Sequence, residues 1–385
     1  MFGRPAAKGS TRTLRVVAVA LFALLLSLAA VALASREANG AGEVPRGFTQ
    51  ARLATGLSEP TTMAMAPDGR IFVAEQRGTL RVIKDGRLLP DPAIDLSQRI
   101  DDEGERGLLG IAFDPDFATN GWIYLFYTRR ATTMNAAFNR VSRFTVNGDR
   151  LDVASERGVI RLEDLSERTN HNGGAMHFGR DGRLYVAVGE NSERENSQSL
   201  QNRLGKMLRV NKNGTIPKDN PFYDRAQGEN RAIWALGLRN PYTFAVQPGS
   251  GRIYINDVGA QTWEEINRGA AGANYGWPVH EGPESDRRYT APIFAYRHGT
   301  NSGCAITGGT FYNPRTVTFP GGFVGDYLFA DYCEGYVRRF DPATGSVSGF
   351  MTNIDRPVSL MVSPAGNLYY IERATGSVYK VSHPN

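Results

Sequence analysis

Arg180-Asp181-Gly182-Arg183-Leu184-Tyr185-Val186-Ala187 joins a tight turn directly to a strand. Asp-Gly suits the backbone angles of a hairpin turn, and the alternating apolar residues after it favour a pleated strand. The same pattern, a Gly-containing turn and then an aromatic-rich strand, stands at 67–74, 120–127, 250–256, 324–330 and 364–371. Second strand patterns follow at 78–83 and 376–381. Six copies at a spacing of roughly 60 residues are too long and irregular for a parallel β-helix and suit four-stranded blades with long loops. The chain is therefore expected to be all-β, a six-bladed β-propeller, whose ring closure hides the sheet edges. The segment 48–56 precedes the first copy and is expected to supply the strand that closes the ring.

The N-terminus is a different object. Arg4, Lys8, Arg12 and Arg15 precede an uncharged apolar run at 16–34, ending in Ala32-Leu33-Ala34. This is the order of a secretory signal peptide, and the run is also near the length of a membrane anchor. Residues 1–34 thus read as a signal peptide or an uncleaved anchor, 35–47 as a linker, and 48–385 as the propeller. Either reading exports the body to the periplasm or the outside, with membrane anchoring through 16–34 in the second. Without those four basic residues the formal charge of +5 falls to +1, so the basicity is a targeting feature and gives nucleic-acid binding no support. The two cysteines, Cys304 and Cys333, are expected to pair in an oxidising compartment, the alternative being two buried thiols.

Propeller function sits in the loops at the channel mouth, and four segments there carry chemistry. The loop 104–117 holds Glu105 and Arg106 ahead of Gly107-Leu108-Leu109-Gly110, with a surface ion pair as the bland reading. Asn170-His171-Asn172-Gly173-Gly174 places a His among amides and glycines, a setting for general-base work near neutral pH. His177 enters a strand and reads as structural. Arg239-Asn240-Pro241 puts a fork of donors on a turn, because Pro disfavours helix at the residue before it. Glu264-Glu265, followed by Ala273-Asn274-Tyr275-Gly276-Trp277-Pro278, offers carboxylate, amide and carbonyl oxygens of the kind that suit Ca²⁺.

In this order, and with Gly205-Lys206-Met207-Leu208-Arg209 between them, these segments resemble the soluble pyrroloquinoline-quinone (PQQ) sugar dehydrogenases, the glucose/sorbosone or aldose sugar dehydrogenase family. The resemblance runs from about Leu53 to Val381. It implies PQQ over Ca²⁺ at the channel mouth, a sugar substrate and an external electron acceptor. It makes His171 the base that takes the proton of the anomeric hydroxyl. Arg239, Asn240, Arg356, Asn170 and Glu105 fall to the cofactor, and Glu265 and Tyr275 to the metal. The chain departs from the pattern at three places. Glu105 stands where the family has Gln, Cys333 where it has Lys, and Val358 where it has the second of two Arg, the first being Arg356. Two other readings stay open. One is a non-catalytic propeller that binds carbohydrate or protein. The other is a lactonase-like, metal-dependent hydrolase using Glu105 or Glu190.

Overall fold

A computed structural model of the chain describes residues 41–283, 286–299 and 303–384. The expected signal peptide or anchor lies outside the described residues. Within the expected linker, Glu43 forms a β-bridge with Thr352. No helix among the described residues is long and apolar enough to cross a membrane.

The strands form six antiparallel sheets, the six blades of a propeller. Their innermost strands are Pro60–Met65, Leu108–Phe113, Gly173–Phe178, Pro241–Val246, Ile306–Phe311 and Pro357–Val362. Each packs on the next, and the sixth returns to the first, so the ring is closed. All six sequence copies fall on the second strand of a blade. Five of these strands, such as Leu184–Val188 and Tyr327–Asp331, are buried at every position. A strand sandwiched between neighbouring blades loses solvent on both faces, which is why its aromatics and β-branched residues run almost without a break. Blade packing joins rings across sheets, as where Tyr254 and Ile266 of blade 4 meet Tyr327 and Phe329 of blade 5. Each fully buried ring of this kind contributes about 2 kcal/mol.

The last blade is completed from the other end of the chain. Thr49–Ala54 pairs antiparallel with Ser377–Ser382, the closing strand expected from 48–56. Tyr370 donates its hydroxyl to Gln50 Oε1 at 2.9 Å and fastens that closure.

The inner strands wall a channel of about 860 Å³ that opens on the face carrying the turns between first and second strands. His177 faces this channel and meets Phe244 edge-on with ring centroids 4.9 Å apart. Its ring is open to the channel but walled in by protein, and burial pulls its pKa down to about 4.

Candidate active site

At the opposite mouth the first strands begin and the second strands end. A buried acid at the end of the second strand holds the entering loop in four blades. Glu75 accepts from the N–H of Ser58, and Glu372 from that of Asp355. Asp257 accepts from Arg239 and Asn240 at 2.9 and 2.7 Å. Asp331 accepts from Cys304, Ala305, Cys333 and Glu334. Burial raises the pKa of Asp257 well above the usual range, with Glu265 adding to the rise and the two N–H groups opposing it. In blade 3 the corresponding strand end is Val188, and the acid stands two residues on, at Glu190. There it takes a side chain instead of a backbone.

That side chain is His171. Its Nδ1 lies 2.6 Å from Glu190 Oε1, and both groups are buried. A carboxylate on Nδ1 fixes that nitrogen as the donor and leaves the Nε2 lone pair as the basic site. The second oxygen of Glu190 has no partner among the described residues. Ser192 Oγ is 3.2 Å from Nδ1 and donates to Asn170 Oδ1 at 2.7 Å. Asn170 Nδ2 is 3.4 Å from His171 Nε2, so Asn170 flanks the basic nitrogen. The His171 N–H donates to Glu105 Oε2 at 2.8 Å.

The backbone here is costly. His171, Asn191 and Ser192 all have left-handed φ, at 59°, 56° and 56°. Non-glycine residues in that region cost of order 1 kcal/mol each and persist where the surroundings fix them. The surroundings are tight. A Cβ at Gly189 would lie 2.2 Å from the His171 carbonyl oxygen, and one at Gly110 would lie 2.0 Å from that of Gly174. The glycines of Gly107-Leu108-Leu109-Gly110 and of the His171 segment are thus neighbours, and the close approach explains both.

Arg239 and Asn240 adjoin this centre. Asn240 Oδ1 accepts from the Gly173 N–H at 3.2 Å, and Glu190 N–H donates to the Arg239 carbonyl. Arg239 Nη1 donates to the Val258 carbonyl, and its guanidinium lies 5.6 Å from the Trp277 ring centroid. Asn240 is buried, so this segment is no ordinary surface turn. Glu105 does not pair with Arg106. Arg106 is buried on Asp101 and the carbonyls of Ser166 and Arg168, which corrects the surface-pair reading. Glu105 is exposed at the mouth, where its charge and Tyr332 raise Tyr242 and Arg373 opposes them. Loss of solvent is the main cause, and Tyr242 is pushed up to about 12.

Arg356 stands in the loop entering blade 6 with φ 58°. Its side chain is exposed and has no partner among the described residues. Val358, two residues on, is buried in a hydrophobic cluster and presents no side chain to the mouth. Cys304 and Cys333 form a disulfide with Cα atoms 5.8 Å apart, a normal span for a bridge. Titration of denatured, unreduced protein with a thiol reagent is expected to find no free thiol; two per chain would contradict the bridge.

Glu265 and Tyr275 line one small cavity with Asp257 and Glu281. Glu265 accepts from the Gly282 N–H and from Asn267 Nδ2 at 2.6 and 3.0 Å. Burial pushes its carboxyl up to about 7, and Glu281 and Glu264 add to the rise. The Tyr275 hydroxyl is turned away to the Arg268 carbonyl, at 2.8 Å. Trp277 Nε1 and His280 Nε2, which line the same cavity, have no partner among the described residues.

The structure therefore gathers His171, Asn170, Glu105, Arg239 and Asn240 at one centre. Glu265 and Tyr275 adjoin it through Asp257 and Arg239. The partner of His171 was missed as such, because Glu190 entered only as a hydrolase acid. Its signal was available: an acid at the end of a second strand recurs around the ring.

Residues 57–380 match the family model described as glucose/sorbosone dehydrogenase. Over 271 residues the chain is 31% identical to the aldose sugar dehydrogenase YliI of Escherichia coli (strain K12), spanning 67% of this chain and 71% of that protein. It is 28% identical over 270 residues to quinoprotein glucose dehydrogenase B of Acinetobacter calcoaceticus, spanning 63% of this chain and 55% of that one. The solved apo form of the soluble aldose sugar dehydrogenase from Escherichia coli superposes with a TM-score of 0.77 at 27% identity, covering 88% of this chain and all of that one.

Proposed function

Because the chain belongs to the glucose/sorbosone dehydrogenase family, we propose that it oxidises an aldose or related polyol at its channel mouth, with PQQ and calcium bound there. It is an oxidoreductase of the sugar dehydrogenase class. The observation that carries the finer reading is His171, closed on Glu190 at 2.6 Å with its other nitrogen left as a base.

His171 Nε2 takes the proton of the anomeric hydroxyl, and Glu190 stabilises the imidazolium that results. When bound, PQQ supplies the two-electron sink for the hydride that leaves the anomeric carbon, and the oxidised sugar is a lactone. Arg239 and Asn240 would hold the quinone end of the cofactor, where the guanidinium would favour developing negative charge. Asp257 fixes both through their N–H groups, so their geometry is set before any ligand arrives. Arg356 suits a carboxylate-bearing cofactor: its exposed guanidinium would offer a fork of donors to one carboxylate. An external acceptor would take up the electrons. Export through the N-terminal segment suits both this arrangement and the disulfide. Purified protein supplied with PQQ and calcium is expected to reduce a dye when an aldose is added. Failure with every aldose in a broad panel would sink the reading.

The hydrolase alternative has no observation in its favour. Glu190 is committed to His171. Two of the relatives are named as dehydrogenases, at 31% and 28% identity, and favour that reading, while Hedgehog-interacting protein of Mus musculus, 29% identical over 227 residues, is named for a protein partner.

We assign calcium to the mouth beside Arg239, where Asp257 and Glu265 are buried carboxylates raised in pKa and line one small cavity with Tyr275 and Glu281. Glu265, Asp257 and Glu281 would supply oxygens to it. The pH dependence follows from linkage. A carboxyl raised from 4.5 to about 7 binds its proton more tightly when folded, so its contribution is present below 4.5 and is lost as pH rises through 7. The loss amounts to up to ~3 kcal/mol. The metal-free protein is therefore expected to lose Tm from pH 5 to pH 8. Calcium should restore it at pH 8 and do little at pH 5, where protons compete. In Glu265→Gln both effects should shrink, and thermal melts at the two pH values with an equal pH slope in that variant would refute this assignment.

A further inference from the structure

Lys206 opens the third strand of blade 3, Lys206–Val210, with none of its surface exposed. Lysine is almost never fully buried unless its ammonium is held. Here Nζ donates to the carbonyls of Asn196 and Leu204, each at 2.6 Å. Burial pulls the ammonium down to about 7, and the charge of Glu163 opposes the fall. An amine in this position costs free energy, and no step of sugar oxidation uses it. Its attachments indicate what it does.

Asn196 lies in the short 3-10 turn Arg194–Gln198, within the loop that carries Glu190. Asn202 Nδ2 donates to Asn196 Oδ1 at 3.0 Å and fixes that amide, so that Asn196 Nδ2 donates to the Glu190 carbonyl at 3.1 Å. Glu190 in turn holds His171. The same turn reaches the next loop. Ser197 Oγ donates to the Leu238 carbonyl at 2.6 Å, and the Gly237 N–H donates to the Ser197 carbonyl at 2.9 Å. Two residues further on stands Arg239. One ammonium therefore anchors the turn from which both the His171–Glu190 pair and the Arg239 loop are hung.

We propose that Lys206 is a positioning residue that sets Glu190 beneath His171 through the Lys206–Asn196–Glu190 chain of hydrogen bonds. Its bearing on catalysis rests on the dehydrogenase reading, but its geometry does not. Lys206→Met keeps an unbranched side chain as far as the ε-carbon and removes the donors. Asn196→Ala removes the middle link and leaves the carbonyl that Lys206 holds. Lys212→Met is the control, since Lys212 pairs with Asp114 and Asp116 on the opposite face.

The first readout needs no cofactor. A proton held between His171 Nδ1 and Glu190 at 2.6 Å gives a far-downfield 1H resonance, assigned by its absence in Glu190→Gln. Lys206→Met and Asn196→Ala are expected to shift it upfield or remove it, and Lys212→Met to leave it in place. The second readout is the kinetics of PQQ-loaded protein. Each of the two variants should lower kcat about tenfold or more with little change in KM, and the double variant should lose no more than the worse single one. An unmoved resonance in folded Lys206→Met and Asn196→Ala overturns the proposal. If Lys206→Met does not fold, Asn196→Ala alone decides it. A wild type that shows the resonance and its loss but oxidises no sugar would keep the positioning role and reject the dehydrogenase reading.

Discussion

His171→Asn lowers kcat for sugar oxidation by about 10³-fold, the scale of a lost general base. Asn is the informative replacement because it tolerates the left-handed backbone that His171 adopts at φ 59°. Its side chain does not reach outward as a base. The fold and cofactor binding should survive, since Arg239, Asn240 and Arg356 are untouched. A smaller effect falls on stability. Glu190 is buried and would lose the partner it holds at 2.6 Å, which costs about 1–3 kcal/mol. Steady-state rates, with PQQ binding measured separately, check the prediction. A variant that binds PQQ and keeps more than a tenth of the rate removes His171 from the chemistry.

Arg356→Gly moves binding and stability in opposite directions. Arg356 holds φ 58°, and its exposed side chain makes no hydrogen bond or ion pair among the described residues. Glycine adopts that backbone without the Cβ penalty, so the variant should be as stable as the wild type or more stable by about 1 kcal/mol. A charge-assisted bond to a carboxylate contributes about 1.5–3 kcal/mol, so PQQ should bind roughly 10–100-fold more weakly. Titration of the cofactor and a thermal melt on the same preparation test both halves. Weaker binding together with a lower Tm would mean that Arg356 supports the loop instead of the ligand. The paired signature is what a strained residue kept for function predicts.

The fold was legible because it is written six times. Each Gly-turn and aromatic strand is local, and each landed on the buried second strand of a blade. The closing strand was legible from its place before the first copy. The site was legible only in part. His171, Arg239 and Asn240 stood in short runs whose glycines and proline announce unusual backbone. What joins them is not local. The pair His171–Glu190 spans 19 residues, and the contact of Gly110 with Gly174 joins two blades. Arg106 looked like a surface ion-pair partner because the carbonyls of Ser166 and Arg168 that bury it come from another loop. The role of Val358 needed the core cluster around it.

The most direct test is a single turnover. The purified protein would be loaded with PQQ and calcium, freed of electron acceptors and mixed with an aldose, while the cofactor absorbance is followed. Saturable binding, reduction of one bound quinone per chain, and almost no reduction on the same timescale in His171→Asn are expected. Failure to bind PQQ at micromolar concentration, or binding with no reduction by any aldose, would contradict it.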